Sequence, residues 1–261
     1  MAVCAQGRSG CHRRRLSLPA VPRPLTLLAL FCATAALAAC GSDSTSQDTT
    51  GSTAAADTST AAATTTPTTT RAAAPNGGCT TVAEPKPKGE QSLPKPTLKL
   101  DPAKTWTADV TTNCGDFTIT LAAGPAPRTS ASFASLSEQG FYDGLTFHRI
   151  VSGFVVQGGD PLGTGQGGPG YSVVETPPSS LKYTRGVVAM AKTGAEAPGT
   201  SGSQFFIVTA PDAGLPPEYA LAGRVTKGQP VVDRIGATPV DPQTEQPLSP
   251  VVIKKVTIHS S

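Results

Sequence analysis

Residues 147–160 read FHRIVSGFVVQGGD, and this stretch decides the reading of the whole chain. Ile, Val and Phe run through it as in a β-strand, yet it also carries Arg149, Phe154 and Gln157. Side chains an odd number of residues apart on an extended strand point to opposite faces. Arg149 and Phe154 therefore share a site only if the segment bends between them, and Ser152-Gly153 supplies the place. With that bend, a guanidinium, an aromatic floor and a side-chain amide form a polar clamp over an apolar pocket. Such a clamp suits a neutral, amide-containing substrate better than a metal ion or a phosphate.

Working outward, Met190-Ala191 is followed by residues 202–207, GSQFFI, and the glycine-rich residues 163–171 read GTGQGGPGY. In this order and at about this spacing, the three segments closely resemble the signature stretches of the cyclophilins, the peptidyl-prolyl cis-trans isomerases. The resemblance covers roughly residues 106–258. It implies a mainly β fold, a closed eight-stranded antiparallel β-barrel capped by two helices, with its interior packed and its active site on the outer surface. It also implies roles. Arg149 and Gln157 would be catalytic, the first donating to the prolyl nitrogen and the second binding the substrate carbonyl. Phe154, Val155, Phe206 and Leu215 would seat the proline ring, with Tyr219 flanking it. The backbone at Ala191 and Lys192 would hold the peptide extended, and Gly165 and Gln204 match positions around the groove. No metal or cofactor is implied.

The coarse pattern agrees with this expectation. β-branched runs at 106–112 and 117–121 flank Asn113-Cys114-Gly115-Asp116, a hairpin signal. Pro127 opens a helix over 127–139 with Phe133 and Leu136 on one face, and Gly140 stops it. Strands are expected at 146–150, 154–157, 186–191, 204–209, 221–225 and 251–258, with a short helix at 230–235. Many short strands with two helices indicate a capped, closed sheet. By alternation Phe205 faces the core and Phe206 the pocket. His148, next to Arg149, should point inward and be structural.

Other chemistries lack their residues. The glycine-rich run has neither the Lys-Ser/Thr ending of a P-loop nor the context of a dinucleotide fingerprint. No G-x-S-x-G elbow and no spaced Cys/His metal cluster is present.

The pattern departs from the family at three places. Gly214 stands where a tryptophan is common, which removes an aromatic wall and argues against cyclosporin-like ligands. Tyr219 stands in place of a histidine and can still flank the ring. Lys192 replaces the usual asparagine and would bias the groove toward acidic peptides; residues 193–202 also need one extra position in the alignment. These departures leave a second reading, a proline-peptide-binding module or holdase chaperone with little turnover.

The N-terminal third has a different character. Residues 1–39 read as a signal peptide: Arg8, Arg13, Arg14, Arg15 and Arg23, no acid, then an apolar run before Leu37-Ala38-Ala39-Cys40. A cysteine there resembles a bacterial lipobox, with Cys40 acylated; an ordinary signal peptide or an uncleaved anchor is the alternative. The chain has 21 Lys+Arg and 18 Asp+Glu, and removing this leader leaves 16 basic residues against 18 acidic. No basic stripe argues for nucleic acid. Residues 40–78, nearly all Ser, Thr, Ala, Gly and Asp, are expected to be a disordered linker with a reach of roughly 35 Å. Residues 79–104, rich in Pro and Lys, are expected to be an extended arm against a domain spanning 105–261. Cys79 and Cys114 are the cysteines left after Cys40, and in an exported chain they invite a disulfide, two free thiols being the alternative. The combined expectation is a monomer, lipid-anchored on the outer face of a bacterial cytoplasmic membrane (or secreted), acting on proline-containing segments of unfolded exported proteins.

Overall fold

The computed structural model describes residues 78–261. The signal peptide, Cys40 and the Ser/Thr/Ala linker lie outside the described residues, Gly78 apart. In chain order the strands and helices are β1 (Trp106–Thr112), β2 (Gly115–Leu121), α1 (Pro127–Glu138), β3 (Arg149–Val151), β4 (Val155–Gly158), β5 (Val173–Val174), β6 (Val187–Met190), β7 (Thr200–Ser201), β8 (Phe205–Val208), β9 (Leu221–Lys227), α2 (Gln229–Gly236) and β10 (Ile253–Ser260).

Eight strands form one antiparallel sheet in the order β10-β1-β2-β9-β6-β8-β4-β3, and β5 pairs with β7 apart from it. β3 and β10 are the two ends of the ladder, so closure is not made by strand pairing. It is made where the segment just before β3 meets the start of β10 and the residues before it, around an isolated antiparallel bridge of Thr146 with Val252. Gly144 N–H donates to Ile253 O (2.7 Å), Ile253 N–H to Leu145 O (2.8 Å) and Phe147 N–H to Val251 O (2.9 Å). The strand expected at 146–150 accordingly appears only as Arg149–Val151, because the residues before it turn to the opposite edge.

Alternation along the strands gives the curled sheet two apolar faces. The inner face packs against α1 and α2, and the core they share holds Ile119, Phe133, Leu136, Phe147, Ile150, Phe205 and Ile253, all at most 1 % exposed. A second apolar cluster contains Val155, Tyr183, Val187, Ala189, Phe206 and Val208. Phe205 and Phe206 thus belong to different clusters, as their adjacency on β8 requires. α1 begins with Pro127 near its first turn and has no side-chain cap of its own. The Glu175 carboxylate supplies one from across the chain, accepting from Arg128 N–H (3.1 Å) and Thr129 N–H (2.8 Å). The helix ends in paired bonds from Gly140 N–H to Ser137 O and Phe141 N–H to Leu136 O.

Residues 79–105 contain no helix or strand and cross the domain as an arm. Cys79 is disulfide-bonded to Cys114 in the β1–β2 turn. Thr80 N–H donates to Asn113 O, Lys88 N–H to Pro161 O and Leu93 N–H to Pro169 O, each at 2.8 Å. The Lys88 ammonium donates to the carbonyls of Gly140 and Phe141, and Leu100 is buried in the core. The arm therefore backs the loop that carries residues 161–171. Among the described residues no helix is long and apolar enough to cross a membrane.

Candidate active site

The β3–β4 hairpin builds the site. Its register sets Arg149 opposite Gln157, Ile150 opposite Val156 and Val151 opposite Val155. Opposed residues of an antiparallel pair project to the same face. Ile150 and Val156 are fully buried, which leaves Arg149 and Gln157 together on the other face. The bend passes through Gly153 at φ 69°, a left-handed conformation glycine adopts without steric cost, and Phe154 N–H closes it on Val151 O.

On that face lies a hollow of about 170 Å³ lined by Arg149, Phe154, Val155, Gln157, Ala191, Lys192, Phe206, Leu215 and Tyr219. Gly165 and Gln204 line an adjoining groove of about 500 Å³ that shares Gln157, Ala191 and Lys192 with it. A chain of hydrogen bonds joins the two. Arg149 Nη1 donates to Gln157 Oε1 (3.4 Å), Gln157 Nε2 to Gln204 Oε1 (3.1 Å), and Gln204 Nε2 to Gly165 O (3.0 Å) and Gly167 O (2.9 Å). The Asp160 carboxylate holds the same loop, accepting from the N–H groups of Leu162, Thr164 and Gly165.

Two partners of the site were not apparent from sequence. The Glu245 carboxylate lies 2.6 Å from Arg149 Nε, with the two side chains 38 % and 39 % exposed. The guanidinium is thus half-exposed beside the hollow and paired on one edge. Tyr183, fully buried, packs beneath Phe206 and Tyr219 with ring centroids at 6.2 and 5.9 Å. Burial pushes its hydroxyl up to about 12. Neither residue lies in a motif, and both come from segments that only folding brings near β3 and β8.

The expectation that Lys192 biases the groove toward acidic peptides is corrected. Its side chain is only 5 % exposed and its ammonium is engaged by the Glu218 carboxylate (3.3 Å), the carbonyls of Thr193 and Glu196, and the face of Tyr219 (5.5 Å). It braces the Tyr219 wall instead. Gly214 has φ 63° and its N–H bonds to the Asp212 carboxylate, so the aromatic residue missing there is replaced by a left-handed turn. His148 is buried, with neither ring nitrogen hydrogen-bonded, and lines a separate small cavity away from the hollow. Burial, and secondarily the neighbouring Arg149, lower its pKa, while Asp160 opposes the shift.

Residues 107–258 match the family model described as cyclophilin type peptidyl-prolyl cis-trans isomerase/CLD. The peptidyl-prolyl cis-trans isomerase B of Streptomyces anulatus is 41% identical over 171 residues, covering 59% of this chain and 96% of that protein. The isomerase A of Mycobacterium tuberculosis is 39% identical over 175 residues, covering 60% and 94%. A crystal structure of a Cryptosporidium parvum cyclophilin type isomerase superposes with a TM-score of 0.56 at 35% identity, over 60% of this chain and 99% of that one. A second, obtained in the presence of the dipeptide Ala-Pro, gives 0.55 at 34% identity, over 59% and 99%. With the family model matching residues 107–258 and these relatives covered almost end to end, the chain belongs to the cyclophilin-type peptidyl-prolyl cis-trans isomerases.

Proposed function

We propose that the chain isomerises X-Pro bonds of exported proteins by stabilising the twisted amide, with Arg149 and Gln157 as its catalytic groups. The supporting observation is the hairpin register that sets the guanidinium and the amide side by side at the rim of an apolar hollow. An amide resists rotation by ~18–20 kcal/mol because the nitrogen lone pair is delocalised. At X-Pro the two isomers are nearly balanced but exchange over roughly tens to hundreds of seconds. Catalysis needs no nucleophile, only tighter binding of the twisted form than of either planar one. Twisting returns the lone pair to nitrogen, and Arg149 donates a charge-assisted hydrogen bond to it. Such a bond contributes about 1.5–3 kcal/mol, or about one to two decades of rate. Phe154, Val155, Phe206, Leu215 and Tyr219 grip the ring while Gln157 holds the carbonyl, and this fixation supplies the rest. The relative crystallised with Ala-Pro supports a proline-sized occupant.

The isomerisation rate of a proline peptide, measured on the full chain and on Arg149→Ala, tests this reading. The variant should lose at least about tenfold in kcat/KM. Equal rates in the two proteins overturn it.

We base the cellular setting on the N-terminal sequence alone. Cys40, acylated, holds a monomer by its Ser/Thr/Ala tether to the outer face of a bacterial cytoplasmic membrane, among unfolded exported chains. Labelling with a fatty-acid analogue should mark the wild type and not Cys40→Ala; no label on either disproves the anchor.

A further inference from the structure

Glu245 is the only described non-glycine residue with positive φ, at 59°. A left-handed conformation is disfavoured for any residue with a Cβ and persists where the surroundings hold it. Here they do so from three sides. Glu245 N–H donates to Asp241 O (2.8 Å), and its carbonyl accepts from the N–H of Ile150 (2.9 Å), the β3 neighbour of Arg149. The Asp241 carboxylate ties the loop tip by accepting from Gln243 and Thr244 N–H, both at 2.9 Å. At the loop's base Val240 bridges Pro247, and Leu248 N–H reaches Pro239 O. The loop thus covers the free edge of β3 and delivers one carboxylate to Nε of Arg149 at 2.6 Å.

We infer that Glu245 is the positioning residue of the active arginine. An arginine side chain has four rotatable bonds, and its five N–H donors act on a developing lone pair only from a fixed direction. Glu245 takes Nε, Gln157 takes one hydrogen of Nη1, and the guanidinium plane is held at two edges. The remaining donors have no other partner among the described residues and stay available to the hollow. The backbone bond to Ile150 places the carboxylate relative to β3 itself, so loop, strand and arginine keep one registration. A nearby carboxylate also offsets part of the guanidinium charge. Directional hold outweighs that loss, because a hydrogen bond to a twisted amide fails with misalignment faster than with a reduction in charge.

The inference rests on Arg149 being the catalytic donor, and the experiment separates the two claims. The full chain, Glu245→Gly, Glu245→Asn, Glu245→Gln, Arg149→Ala and the double variant Arg149→Ala/Glu245→Gly are compared by NMR exchange on an Ala-Pro peptide, giving kcat and KM, with Tm for each. Gly and Asn accept the left-handed backbone, so the fold is kept while the carboxylate is lost. In both, kcat should fall about tenfold with KM within about twofold of wild type. Glu245→Gln, whose carbonyl oxygen still accepts from Nε, should retain kcat within about threefold. In the Arg149→Ala background the glycine substitution should change nothing further. If Arg149→Ala is inactive but Glu245→Gly and Glu245→Asn, folded by Tm, keep or raise kcat, the positioning role is wrong and the catalytic reading stands. If Arg149→Ala keeps its rate, the catalytic reading itself fails.

Discussion

Tyr183 and Tyr219 clasp one another through a single hydroxyl. The Tyr183 O–H donates to Tyr219 O at 2.6 Å and accepts from Tyr219 N–H at 2.9 Å. A buried side chain thereby fixes the backbone of a residue whose ring meets Phe206 edge-on at 5.4 Å in the candidate proline pocket. Tyr183→Phe keeps the ring and strands both backbone groups. It should cost about 1–3 kcal/mol in urea unfolding and raise KM for proline peptides more than it lowers kcat. The same hydroxyl is held neutral in the fold at a pH where the unfolded chain ionises. The stability this hydroxyl contributes should therefore be fully present below about pH 10 and be lost as pH rises toward about 12, and this alkaline loss should be smaller in Tyr183→Phe.

Because the Lys192 ammonium is already spent on Glu218 and the Tyr219 ring, wild-type kcat/KM should not favour peptides with Glu over Ala two residues before proline. Lys192→Met keeps the packed stem and removes the charge, and should raise KM about two- to fivefold for all of them. A strong wild-type preference for acidic peptides that disappears in Lys192→Met would contradict this.

The bridge from Cys79 to Cys114 spans 35 residues of sequence. Replacing both by serine should reduce stability by about 3–4 kcal/mol, measured by urea unfolding, through the entropy restored to the unfolded chain. The freed arm should also release its bonds to Pro161 and Pro169. Hydrogen exchange at Lys88 and Leu93 should then accelerate well before that of β1.

His148 carries its depressed pKa into the fold and loses it on unfolding. Below pH 6.5 the unfolded chain binds a proton that the folded chain refuses, so stability should drop as the solution is acidified from pH 7.5 to 5.5. His148→Phe should show a shallower drop over that interval, with denaturant midpoints at the two pH values as the measurement.

Much of this structure was readable in advance because it rests on short-range rules. Pro127, Phe133, Leu136 and Gly140 mark α1 by spacing and caps alone, and Ser152-Gly153 marks the bend that lets Arg149 and Phe154 line one hollow. The rest depends on pairs distant in sequence. Glu245 reaches Arg149 only after α2 and its following loop return to the edge of β3, and nothing in DPQTEQP states where that loop will lie. Lys192 misled for a related reason. A lysine beside a groove reads as free charge until Glu218 and Tyr219, far along the chain, are seen to occupy it. The two-residue β5 and β7 escaped because Val173–Val174 and Thr200–Ser201 are too short to show any periodicity.

Where the arm is fastened decides how the domain answers a pull on its leading end. Traction applied ahead of Cys79 passes through the sulfur bridge straight into the β1–β2 turn, and Arg234, bonded to Cys114 O at 2.7 Å, shares it with α2. Residues between the two cysteines are bypassed, so a pull applied ahead of Cys79 leaves the arm's grip on the glycine-rich loop, and with it the groove wall, mechanically slack.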